Sequence, residues 1–151
     1  MKGFHHKGTK NTKRFSLCPL CLCGEKLLDF SYLRTLLHAV IQNAVVTSAA
    51  TLWPVALRVD AFVLRAAEVL PFEEVSVINV ATGERFWTWI EPAAEGSGEV
   101  AVHSGTRSPV RIGDTISIMA FATFHEGQTL AHKPRIVTLG ANNQVISVGE
   151  G

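Results

Sequence analysis

Cysteine is nearly missing from this 151-residue chain. Its three copies, Cys18, Cys21 and Cys23, all fall before residue 24, so no disulfide framework can staple the remainder. A cysteine-free remainder suits a reducing compartment, and a cytoplasmic location is expected. Lysine is almost as scarce. After residue 30 only Lys133 is left, which gives little material for lysine Schiff-base chemistry. No apolar run approaches the ~20 residues of a membrane-spanning helix, so no membrane partner is expected. A strong basic excess is also missing. The net charge is +1, and it is unevenly spread: residues 1–30 hold six Lys/Arg against two acids, and residues 31–151 hold eight against eleven. A mildly acidic globular part argues against nucleic acid as a partner.

What is present divides at about residue 30. Met1 to Arg14 is basic and polar, with His5 and His6 and no apolar period. Such a composition cannot bury a core and reads as disordered. Cys18-Pro19-Leu20-Cys21 has the spacing of half a zinc site, but a second pair is missing. The other ligands would have to be His5, His6 or Cys23, so no metal is expected. The short apolar run around Pro19 also lacks the small-residue cleavage site of a secretory signal. Residues 1–30 therefore read as an extension, or as the product of a start codon placed too far upstream. Residues 31–151 are long enough for one domain with a real core.

Within that domain the pattern predicts short strands. Arg34 to Val46 reads as a first strand, continued by Thr47 to Trp53. Asp60 is a fitting N-cap for a short helix to Leu70, with Phe62, Ala66 and Val69 on one face and Pro71 at its end. Val75 to Ile78 and Arg85 to Glu91 form a hairpin around Ala81-Thr82-Gly83-Glu84, with Gly83 free to take positive φ. Glu91 to Gly98 and Ser104 to Ser108 read as loops. Val100 to His103 and Thr115 to Phe124 are strands, His125 to His132 is a polar loop, and Arg135–Leu139 with Gln144–Val148 makes a last hairpin. The class is all-β with one short helix, in the form of a small closed barrel.

The return strand of the first hairpin carries the chemistry. A period of two puts Arg85, Trp87 and Trp89 on one face and Phe86, Thr88 and Ile90 on the other. An Arg beside Trp can stack on the indole and still offer a bidentate fork to a carboxylate. The alternative is a solvated edge-strand Arg among exposed aromatics.

In order and spacing, several pieces resemble the bacterial L-aspartate alpha-decarboxylase family. They are Leu-Arg-Thr-Leu-Leu at 33–37, Val46-Thr47, the Asn79–Trp89 hairpin, Gly96-Ser97 and Ile112-Gly113-Asp114, and they span roughly Leu33 to Phe124. The resemblance implies a double-psi β-barrel, a homotetramer with sites between subunits, and a pyruvoyl cofactor made by self-cleavage of a Gly-Ser bond. The product would be β-alanine for pantothenate.

The chemical positions depart from that pattern. The Gly-Ser pair falls on Val55-Ala56, and Trp53 to Arg58 contains no Ser, Thr or Cys. Self-processing needs a β-leaving oxygen or sulfur, which alanine lacks, so no pyruvoyl cofactor is expected. The family's lysine falls on Val40 and its neighbouring histidine on Gln42. Its proton-donating tyrosine falls on Trp89, and its processing asparagine on His103. What the resemblance leaves is a carboxylate socket, with Arg85 as the carboxylate binder, Thr88 and Trp89 beside it, and Thr47.

Four functions stay open. The first is an inactive barrel that binds a small carboxylate, or that joins a working paralogue. The second is a different enzyme, with an acid held by Arg85 and His103, His38 or Glu91 moving protons. The third is aspartate 1-decarboxylase itself, and the fourth is an assembly protein. His103 reads either as that catalytic group or as an ordinary loop histidine.

Overall fold

The computed structural model describes residues 32–51, 55–104 and 109–151. The expectations for residues 1–30, for Trp53 and for the Gly105–Ser108 part of the second loop lie outside the described residues. Among the described residues there are nine strands: β1 (Leu33–Val45), β2 (Ser48–Thr51), β3 (Ala56–Asp60), β4 (Glu74–Asn79), β5 (Arg85–Ala93), β6 (Val100–Ser104), β7 (Thr115–His125), β8 (Arg135–Leu139) and β9 (Val145–Glu150). They join in the order β2-β6-β3-β5-β4-β7-β1-β8-β9. The pairs β1/β8, β2/β6 and β3/β5 are parallel, and the others antiparallel.

Burial shows how this sheet is shaped. A single apolar cluster joins Leu57 of β3 and Val102 of β6 to Val137 and Leu139 of β8. Strands from opposite ends of the order can share one core only if the sheet curls into a barrel. The class is all-β, as the sequence predicts. Ile41, Leu57, Ile90, Ile116, Ile118 and Leu139 are the largest fully buried side chains among the described residues. Each contributes about 1.5–3 kcal/mol through removal from water.

Helix α1 (Ala61–Ala67) crosses from β3 towards β4. Asp60 caps it, accepting a hydrogen bond from the Phe62 N–H at 2.8 Å. The helix stops at Glu68 in the left-handed conformation, well before Pro71. Its buried residues are Val63, Leu64 and Ala67, not the expected Phe62 face, and Phe62 itself is exposed. Burial here follows contact with the sheet rather than the largest side chain. Two further corrections concern loops. β5 runs on through Glu91, Pro92 and Ala93, pairing with β3. The 125–132 loop contains one helical turn, α2 (Glu126–Thr129).

The hairpin between β4 and β5 is built by Asn79. Its buried side chain accepts from the N–H groups of Ala81 at 3.0 Å and Thr82 at 3.3 Å, and donates to Asp114 at 2.8 Å. Gly83 takes φ +72°, as the turn needs. This fixes the register Ile78↔Arg85, Ser76↔Trp87 and Glu74↔Trp89.

Candidate functional site

The neighbouring strands β6, β3, β5 and β4 carry the candidate site. Ala56 opens β3 and lies directly opposite His103 of β6. On its other side, the parallel register Leu57↔Ile90 puts Val55 and Ala56 beside Thr88 and Trp89. The structure therefore brings together the Val55-Ala56 pair, His103, Thr88 and Trp89.

A cavity of about 430 Å³ opens here, lined by Val55, Phe72, Glu74, Trp87, Thr88 and Trp89. The period-two reading of β5 is correct: Arg85, Trp87 and Trp89 are exposed, while Thr88 and Ile90 are buried. Thr88 carries a buried hydroxyl with no hydrogen-bond partner among the described residues. Such an atom is uncommon in a folded protein and marks either a ligand contact or strain. Ser104 Oγ is in the same condition.

Arg85 lies outside that lining. It is four residues from Trp89, about 13 Å along the strand. Its Nε donates to Ser76 Oγ at 2.6 Å, and its guanidinium sits 5.7 Å from the centre of the Trp87 ring. Ser76 is fully buried beneath it. These two contacts hold the guanidinium plane while its terminal nitrogens engage no described carboxylate. Every other described Arg except Arg111 forms an ion pair. The stacked arrangement is thus the one adopted.

The remaining candidates lie elsewhere. His38 Nε2 is 3.2 Å from the Glu68 carbonyl, beside a separate cavity lined by Leu70, Phe72 and Ala122. Glu91 sits on β5 beside Arg58 of β3. Thr47 is occupied structurally, since its hydroxyl donates to the Val100 carbonyl and accepts from the Val100 N–H, each at 3.0 Å. No group of three or more His, Cys, Asp or Glu could hold a metal ion among the described residues. None of the described helices is long and apolar enough to cross a membrane.

Sequence reasoning missed Ser76, Phe72 and Glu74. The hairpin register would have given two of them. Counting back from the Gly83 turn sets Ser76 against Trp87 and Glu74 against Trp89. Phe72 carries no such signal, because it sits at positive φ in a bend before β4.

Asp60, at the far end of β3, fastens this region. Burial alone would raise its carboxyl, but N–H donors from Gly98, Phe62 and Gly96, with Arg65 nearby, outweigh that. The carboxyl is held below the ordinary aspartate range. It ties the β5–β6 loop to the start of α1.

With this geometry in view, comparison with known proteins is decisive. The aspartate decarboxylase family model matches residues 32–146. The chain belongs to the aspartate decarboxylase family. An aspartate 1-decarboxylase from Methylibium petroleiphilum is 34% identical over 115 residues, covering 76% of this chain and 96% of that protein. One from Staphylococcus epidermidis is 31% identical over 116 residues, 77% of this chain and 91% of that one. One from Listeria monocytogenes is 31% identical over 112 residues, 74% and 88%.

The family is pyruvoyl-dependent, and neither Val55 nor Ala56 carries a hydroxyl or thiol from which such a group could be made. Ala56 is buried, pairs from β3 with His103 of β6, and ends in a methyl group. Val55 before it has a β-branched side chain.

Proposed function

We propose that this aspartate decarboxylase homologue does not process itself and binds a small carboxylate through Arg85. The observation that supports it most is the pairing of losses and survivals on adjacent strands. At Ala56 nothing can act as nucleophile or leaving group. On β5 the guanidinium is oriented by Ser76 and Trp87, with its terminal nitrogens open. Without the carbonyl of a covalent cofactor there is no electron sink for decarboxylation. A carboxylate that docks at Arg85 would then be held rather than consumed. Thr88 and Trp89 lie further along the same strand, towards the cavity.

Assembly belongs to the same reading, as a homotetramer or jointly with a working paralogue in the cytoplasm. The exposed apolar side chains Tyr32, Leu33, Ile146 and Val148 support such contacts.

A second reading is aspartate 1-decarboxylase activity itself, favoured by the names of the relatives at 31–34% identity. A third, in which His103 moves a proton on an acid held by Arg85, is disfavoured by the distance between the two along the sheet. Intact mass under denaturing conditions separates the first two. One uncut chain supports the binding reading. Two fragments meeting at Val55-Ala56, one with a blocked N-terminus, would overturn it. Melting temperature is then followed against succinate, glutarate and acetate. A rise that disappears in Arg85→Ala is expected.

A further inference from the structure

We propose that the cavity beside Trp89 is a binding site for an organic ammonium ion, with Glu74 as its counter-charge. This goes beyond the carboxylate reading and does not depend on Arg85.

The register supplies the first ground. Glu74 and Trp89 are direct cross-strand partners, and Trp87 is two residues from Trp89, so all three project from the same face. Phe72, two residues before Glu74, completes a wall of three aromatic rings and one carboxylate around the cavity. Aromatic faces carry negative potential, and the combination of several rings with an acid is the chemistry that recognises ammonium groups.

The second ground is vacancy of partners. Glu74 forms no ion pair and no hydrogen bond with any described residue, unlike Glu68, Glu95, Glu99, Glu126 and Glu150. Trp89 and Phe72 have no described cation over their rings, whereas Trp87 already carries Arg85. That contact shows a cation resting on this aromatic face.

The surface is also mismatched to the alternatives. A purely apolar ligand would bury the Glu74 carboxylate unpaired, which is costly. An anion would meet that carboxylate directly.

The test uses the full chain and simple probes. Choline and its neutral isostere 3,3-dimethylbutan-1-ol are titrated separately while the indole N–H signals of Trp87 and Trp89 are followed by NMR. The signals are assigned by Trp→Phe substitution, and sodium chloride controls for ionic strength. Choline is expected to shift the Trp89 signal saturably, with a dissociation constant on the order of 1 mM. The neutral isostere should bind at least about tenfold more weakly. Glu74→Gln should weaken choline about tenfold; followed on the Trp87 indole signal, the choline response should disappear in Trp89→Leu and persist in Trp89→Phe. Arg85→Ala should retain choline binding although it loses the carboxylate response, so the two sites fail separately. Equal binding of choline and its isostere would overturn the inference, as would indifference to Glu74→Gln. No saturable shift with choline at all would overturn it too.

Discussion

His103 and Ala56 face each other directly across the antiparallel strands β6 and β3. In a self-processing relative, the residue at the second position must present an attacking oxygen. Here an imidazole is set against a methyl group, which has no acidic proton to give. The expected result is one uncut species for the parent chain and for His103→Ala alike, read by denaturing mass spectrometry. A parent chain that is cut, and a His103→Ala chain that is not, would assign His103 a processing role.

Ser76 is the support that keeps Arg85 in place. Its hydroxyl accepts from Arg85 Nε, and it is fully buried. Ser76→Ala should weaken carboxylate binding about five- to thirtyfold by freeing the guanidinium, without the complete loss caused by Arg85→Ala. Loss of one hydrogen bond to a charged group corresponds to about 1–2 kcal/mol. Thermal-shift titrations of the three proteins with glutarate give the comparison.

Asp60 links acid stability to the β5–β6 loop. Its folded pKa lies below the ordinary value of about 4, so the folded chain binds this proton less readily than the unfolded chain. The stabilisation is fully present above about pH 5 and is lost as pH falls through the folded pKa. Asp60→Ala should cost about 3 kcal/mol at neutral pH, since three N–H groups lose their acceptor. That corresponds to a Tm lower by about 10 °C. Asp60→Asn should show a flatter loss of stability than the parent below pH 4. An unchanged acid limb would show that other carboxylates carry it.

How much of this was readable in the residues varies from strand to strand. The β4–β5 hairpin was legible because its turn chemistry and its alternation agree: Gly83 supplies positive φ, and Trp87 alternates with Thr88. Strand β3 was not. Leu57, Val59 and Asp60 are all buried, so both faces of Ala56–Asp60 are covered and no period of two appears. The end of α1 was also hidden, since it depends on Glu68 adopting a left-handed conformation that favours glycine. For the site, the reading of Val55 and Ala56 as a departure rests on the family resemblance, since neither residue carries a signal of its own. Glu74 and Ser76 became visible only through cross-strand register, which the sequence specifies indirectly.

Asn143 makes a further test away from the site. Its buried side chain accepts from the Val45 N–H at 2.8 Å and donates to the carbonyls of Val45 at 2.9 Å and Gly98 at 2.8 Å. It also sits at φ +55°, where asparagine is tolerated better than alanine. Asn143→Ala should destabilise by about 3 kcal/mol, because three backbone groups are left without a partner. Urea unfolding would show it as a lower midpoint at unchanged slope.

Strand β1 lies between β7 and β8, both of which come some seventy residues or more later in the chain. During synthesis it therefore emerges with both edges bare, and Ala39, Ile41 and Ala44 have no core to enter. Neither neighbour exists until most of the polypeptide has been made. Such distant pairing makes closure slow and leaves a sticky nascent strand in the meantime. A truncation anywhere before β7 would consequently yield aggregate rather than a smaller folded barrel, and the chain's yield in a cell depends on how well β1 is shielded while it waits.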